Sequence, residues 1–187
     1  MINSETPLAV SREVGIFPPL GLMYLAAYLK QYTKYELRIL DAVAENMDDQ
    51  TIQRYIREYS PELIGITAHT HNLLDVLSVA KAAKEVNRQI HVCLGGAHVH
   101  VFPHETVELP CVDSAIKGEG EAVFTELAKA IDQNKNLRHV KGLIFKDGRE
   151  VINTGAAETI NLLDSLPFPE RTKIDLTKYY YAISEKV

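Results

Sequence analysis

Short apolar runs alternate with helical patterns along most of this chain, and that alternation limits what it can fold into. Residues 36–41 (ELRILD), 62–67 (ELIGIT), 90–94 (IHVCL) and 112–117 (VDSAIK) read as strands of a buried sheet. Between them lie residues 48–59, an amphipathic helix opened by Asp48 or Asp49 as cap, and residues 72–87. The second of these places Leu73, Val76, Leu77, Ala80 and Ala83 on one helical face. A last helix, residues 119–134, turns Val123, Leu127, Ala130 and Ile131 inward. Strands and helices alternating at this spacing imply parallel pairing through right-handed crossovers. The expected fold is α/β and doubly wound, with a mostly parallel sheet.

The two ends of the chain depart from that rhythm. Pro18 and Pro19 precede residues 20–31, a stretch apolar nearly all round (Leu22, Met23, Leu25, Ala26, Ala27, Leu29) and hence a buried helix with proline at its start. A fold of this kind has a strand before that helix. Only residues 1–3 and a loop to Phe17 stand there, so the first strand is short or missing. After Asn136, residues 140–145 and 150–153 flank Lys146-Asp147-Gly148-Arg149, whose Asp-Gly pair signals a β-hairpin. Pro167 and Pro169 hold the next stretch extended, and Tyr179, Tyr180 and Tyr181 form a cluster that packs against something. The expected division is an α/β domain over residues 1–136, followed by a hairpin and linker over 137–187.

Charge and composition remove several classes of function. A formal net charge of −5 leaves no basic stripe for a general nucleic-acid binder. No apolar run reaches membrane-spanning length, and no signal-peptide pattern opens the chain, so the expected location is the cytoplasm. Cys93 and Cys111 make no disulfide framework and no CxxC motif. They read as buried thiols in a reducing compartment.

Chemistry concentrates behind two strands. The run IHVCLGGAHVHVFPH, residues 90–104, ends an apolar strand in Gly95 and Gly96, where the backbone must come close to something. In open parallel sheets, ligands bind just past the carboxyl ends of the strands. Six of the seven histidines (His69, His71, His91, His98, His100, His104) fall near residues 67 and 95, on loops that face each other if the two strands are neighbours. A zinc reading lacks a helical HxxxH pair or a carboxylate at a diagnostic offset. His91, early in its strand, is structural. The others are solvated loop histidines, or one or two of them touch a cofactor. At Gly118-Glu119-Gly120-Glu121 the backbone turns into the last helix. Two carboxylates there repel an anion, so the turn suits a ligand offering hydrogen-bond donors, or serves only as a helix cap. A dinucleotide site would need GxGxxG, which does not occur. A phospho-receiver domain would need an aspartate where Thr67-Ala68-His69 stands, and a flavodoxin a Ser/Thr/Gly-rich loop where residues 4–15 stand.

Several linked segments resemble one family. FPPLGLMYLAAYL (17–29), LDAVAEN (40–46), GIT (65–67), GGAH (95–98), GEGE (118–121), and then GLIF and LPFP, follow in order the segments of the cobalamin-binding domain at the N-terminus of cobalamin-dependent radical SAM enzymes. The resemblance implies a Rossmann- or flavodoxin-like domain with a corrinoid across the carboxyl edge of its sheet. The cofactor's tail would lie by Thr67, His69 and Thr70, with Gly95 and Gly96 giving it room and His98 nearby. Gly118, Glu119 and Gly120 would border the corrin. A bulky residue at Gly96 is expected to abolish corrinoid binding and leave the fold mostly intact. The DxHxxG motif that carries a cobalt-ligating histidine is absent, so no metal ligand is assigned, with His69, His71 and His98 as its alternatives. No CxxxCxxC motif occurs. S-Adenosylmethionine and a 4Fe–4S cluster therefore belong to a radical SAM barrel outside this chain, in cis or in trans. The implied role is to present the corrinoid for methyl transfer or related radical chemistry by that barrel, with this chain alone not catalytic. The alternative is a ligand-free regulatory or protein-interaction module of the same fold.

Overall fold

The computed structural model describes residues 2–3 and 15–181. Its strands are β1 (Ile2–Asn3), β2 (Gly15–Ile16), β3 (Leu40–Asp41), β4 (Leu63–Thr67), β5 (His91–Gly95), β6 (Ser114–Ile116), β7 (Leu143–Asp147), β8 (Glu150–Asn153) and β9 (Tyr180–Tyr181). Seven of them form one sheet in the order β3-β1-β4-β5-β6-β7-β8, while β2 and β9 make a separate antiparallel ribbon. Pairing is parallel from β3 through β6 and antiparallel at β7 and β8. The helices are α1 (Leu20–Tyr32), α2 (Asp49–Tyr59), α3 (Leu73–Val86), α4 (Ala97–Val101), α5 (Pro103–Glu108) and α6 (Glu121–Asp132).

The pleat sorts the core into two layers. Ile64 and Ile66 of β4, Val92 and Leu94 of β5, Ala115 of β6 and Ile144 of β7 face α2 and α3, which contribute Ile52, Ile56, Val76, Val79 and Ala80. Cys93, Ile116, Leu143 and Phe145 face the other way, onto Val123, Phe124 and Leu127 of α6. Beside α6, α1 buries Leu22, Met23 and Ala26. Each large apolar side chain buried this fully contributes about 1.5–3 kcal/mol. Helices on both faces of a largely parallel sheet make the fold doubly wound, as the alternation in the sequence implies.

The expected strand over residues 36–41 is only Leu40–Asp41, because its neighbour β1 offers a two-residue ladder: Ile2 opposite Leu40, Asn3 opposite Asp41. The first strand is thus short and present. The hairpin extends the main sheet, since β7 lies along β6 with Ser114 opposite Phe145 and Ile116 opposite Leu143. The histidine-bearing stretch after β5, read from sequence as loop, forms α4 and α5, pinned by the fully buried Val99 and Val107. Asp48 is the cap of α2, its carboxylate accepting from the Thr51 amide at 2.8 Å.

Candidate functional site

Thr67 closes β4 with Asn3 in register on one side and Gly95 on the other. Just beyond, Ala68 is gripped by the neighbouring chain: its amide donates to the Gly95 carbonyl (2.7 Å), and its carbonyl accepts from the His98 amide (3.0 Å). The two glycines of β5's end answer to different demands. Gly96 has φ +100°, and a Cβ there would sit 2.7 Å from the Ala68 carbonyl oxygen. It is glycine because the backbone of Ala68 leaves no room and because L-residues avoid that φ. The expectation that a bulky residue at Gly96 spares the fold is therefore overturned. Gly95 meets nothing within 4 Å of a built Cβ, and neither does Gly118 (φ +96°) beyond β6. Gly120, at the start of α6, faces the Leu25 side chain at 3.6 Å.

The histidines sort by burial. His98 is 7% exposed. Its Nδ1 lies 3.2 Å from the Thr70 hydroxyl, and its ring is tilted against Phe102 at 5.3 Å. His69 and His71 stack at 5.4 Å, and the His69 amide donates to the Asn72 side chain (2.8 Å), fixing the turn after β4. The structure thus brings Thr70 and His98 together across the two loops, as neighbouring strands require. Glu119 and Gly118 stand one strand further along, beyond β6. Among the described residues, no group of three or more His, Cys, Asp or Glu side chains is arranged to hold a metal ion. His91 sits at the opposite edge, its Nε2 2.8 Å from the Ser114 hydroxyl, and burial lowers its pKa.

The C-terminal segment, expected as an extended linker leading away, folds back as a strap on this same domain. The Ile160 amide donates to Glu119 Oε2 at 3.1 Å. Further on, the Glu170 amide donates to the Met23 carbonyl (3.0 Å), and its carboxylate accepts from Lys30 Nζ at 2.6 Å. Hydrogen bonds from Lys30 and Thr172 hold that carboxyl at about 2. At β3's end, the Tyr179 hydroxyl donates to Asp41 Oδ2 at 3.1 Å, and Lys178 pairs with Glu45. Asp41, only 4% exposed, also accepts from the Val43 and Ala44 amides. Burial, followed by the Asp41 charge, raises the Tyr179 pKa. The tyrosine cluster and the extended stretch at Pro167 and Pro169 were the signals of this strap in the sequence.

The carboxyl edge of this parallel sheet leaves open space at the ends of the adjacent strands β5 and β6, and in doubly wound α/β folds that edge is where ligands bind. Residues 8–128 match the B12-binding domain family, and the chain belongs to it. It is 36% identical over 181 residues to an uncharacterized methyltransferase of Pyrococcus horikoshii, across 96% of this chain and 39% of that protein. It is 32% identical over 171 residues to the anaerobic magnesium-protoporphyrin IX monomethyl ester cyclase of Cereibacter sphaeroides, across 89% of this chain and 28% of the cyclase. The chain therefore spans well under half the length of either relative. Among solved structures, its fold is similar to that of the cobalamin-dependent S-adenosylmethionine radical enzyme OxsB with aqua-cobalamin and S-adenosylmethionine bound. The TM-score is 0.74 at 20% identity, over 90% of this chain and 23% of that one. The radical S-adenosylmethionine methyltransferase TsrM from Kitasatospora setae, with cobalamin and a [4Fe-4S] cluster bound, matches with a TM-score of 0.70 at 21% identity, over 82% of this chain and 30% of that one. The domain resembles those of cobalamin-dependent radical SAM enzymes, and its homologues are methyltransferases and cyclases. Among the described residues no helix is long and apolar enough to cross a membrane.

Proposed function

We propose that this chain holds a corrinoid across the carboxyl edge of its sheet and presents it to a radical SAM barrel. The observation that carries the reading is the open space over Gly95 and Gly118, at the ends of the adjacent strands β5 and β6, in a chain of the B12-binding family. Thr67, His69, Thr70 and His98 would line the tail's side of the site, and Gly118, Glu119 and Gly120 the corrin's side. Gly96 contributes by letting the β4 and β5 ends close on each other. When bound, the corrinoid supplies a cobalt centre for group transfer, and the protein's part is to seat it, orient it and keep water from one face. In this reading no side chain of this chain ligates cobalt, in keeping with His98 turned to Thr70 and His69 stacked on His71.

The barrel, in cis beyond residues 137–187 or in trans, would bring the 4Fe–4S cluster and S-adenosylmethionine, in the cytoplasm. Its chemistry would be methyl transfer or ring formation, the activities named for the relatives. The family membership favours this over a ligand-free interaction module of the same fold. Titration with hydroxocobalamin tests it: the corrinoid absorption bands are expected to shift on binding, and the melting temperature to rise with cofactor concentration by mass action. An unchanged spectrum together with an unchanged melting temperature overturns the reading.

A further inference from the structure

Behind the end of β5, one polar side chain is buried with only half of its hydrogen-bonding capacity used. The fold holds His98 at three points. Its amide donates to the Ala68 carbonyl at 3.0 Å, Val99 beside it is fully buried, and its ring lies 5.3 Å from that of Phe102. The residue is only 7% exposed, so little of it is open to bulk water. Nδ1 has a partner in the Thr70 hydroxyl, 3.2 Å away. Nε2 has none among the described residues. A neutral imidazole carries one donor and one acceptor, and a buried polar atom left without a partner is costly to the fold.

This nitrogen belongs to a residue three positions past Gly95, where the strand end is open, and it suits a group that arrives with a ligand. We propose that His98 donates a hydrogen bond from Nε2 to an acceptor on the nucleotide tail of the corrinoid, with the Thr70 hydroxyl donating to Nδ1. The proposal rests on the corrinoid reading above, and adds to it a means of selecting complete corrinoids over those without a tail. The direction of the bond follows from the chemistry of the tail. Its phosphodiester oxygens accept, as does the base nitrogen once it is off cobalt, and neither donates. A hydroxyl can take either role, so a Thr70 hydroxyl that gives its proton to Nδ1 fixes the tautomer with hydrogen on Nε2. Thr70 is exposed, and its hydroxyl turns to that role without breaking a buried contact. In this tautomer neither ring nitrogen keeps a lone pair for a metal, in keeping with a chain that does not ligate cobalt.

Three corrinoids in aquo or hydroxo form separate the sources of the acceptor: hydroxocobalamin, cobinamide, which lacks the nucleotide tail, and a cobamide carrying p-cresol in place of the base. Calorimetry gives the dissociation constant of each for the native chain, His98→Phe, His98→Gln and Thr70→Val. The ratio of two constants on one variant cancels any loss of folded protein. The native chain is expected to prefer hydroxocobalamin to cobinamide. His98→Phe, which keeps a flat ring and removes both nitrogens, is expected to lose about tenfold of that preference. His98→Gln places an amide donor near the position of Nε2 and is expected to restore most of it, and Thr70→Val to lose about threefold. The p-cresol cobamide assigns the acceptor: an effect of His98→Phe that persists with it names the phosphodiester, and one that vanishes names the base nitrogen. A preference that is equal in the native chain and His98→Phe overturns the proposal alone. So does nitrogen splitting in the paramagnetic resonance of bound cob(II)alamin that His98→Phe removes, because it makes His98 a cobalt ligand. A native chain that binds none of the three overturns the corrinoid reading, and this proposal with it.

Discussion

The two ends of the central strands follow opposite rules. At the amino end, polar groups are spent on one another. Asp113 accepts from the Val92 amide at 2.7 Å and from Lys84, whose Nζ also donates to the Ile90 carbonyl at 2.6 Å. Next to them His91 and Ser114 are joined, and burial pushes the Cys93 thiol up to about 12. At the carboxyl end the chain uses glycine where a side chain could have closed the surface, and leaves space above Gly95 and Gly118. That cluster ties the amino ends of β5 and β6 together, whereas the space over Gly95 and Gly118 is left without a side chain.

The sharpest way to break this comparison is Asp113→Ala. It strands the Val92 amide and a Lys84 ammonium that is only 18% exposed. Denaturant titration is expected to show a loss of about 2–4 kcal/mol, with cobalamin affinity of the folded protein unchanged. A loss below about 0.5 kcal/mol would mean that the amino edge is not the scaffold.

A paired substitution separates the two glycines. Gly96→Leu forces a side chain into the Ala68 carbonyl at a positive φ, at a cost of about 1–3 kcal/mol. Gly95→Leu points into open space and is expected to leave stability within about 0.5 kcal/mol, while weakening hydroxocobalamin binding at least tenfold. Calorimetry on both variants reads the two effects side by side. Equal cobalamin affinity in Gly95→Leu would take the ligand off that strand end.

The smallest effect sharpens the role of the strap. Glu170's carboxyl is held at about 2 against an ordinary 4.5, so its ion pair adds stability above 4.5 and loses it as the pH falls toward 2. Lys30's side chain is 60% exposed and solvent-screened, which limits the contribution to about 1–2 kcal/mol. Glu170→Gln is expected to lower neutral-pH stability by that amount and to flatten the acid limb between pH 4.5 and 2, followed by urea midpoints at each pH.

Much of this architecture was legible because it is local. Apolar runs, helical faces and the Asp147-Gly148 hairpin announce themselves within a few residues, and the segments after β4, β5 and β6 carried the family resemblance. What escaped the sequence depends on distant partners. Among the described residues β3 is the two positions that meet β1, Ile2 opposite Leu40 and Asn3 opposite Asp41. Gly96 and Gly95 look alike in sequence, and only the Ala68 carbonyl, on another strand, tells them apart. The strap rests on contacts such as Tyr179 to Asp41, 138 positions apart, which no periodicity records. The histidine run became helix because Val99 and Val107 had a core to enter, a fact supplied by the rest of the fold.

The β2–β9 ribbon has a mechanical consequence. By tying Tyr180 and Tyr181 to Ile16 and Gly15, it anchors the chain's exit in the same molecule that carries the Tyr179–Asp41 contact at β3's carboxyl end. Six residues separate Tyr181 from the position after Val187, and six residues of any chain span at most about 20 Å. A module fused at Val187 would be confined to the neighbourhood of that anchor, and would meet it at an effective concentration in the millimolar range. Encounter would then be set by tether length, and inserting flexible residues after Tyr181 would dilute it without altering a single contact.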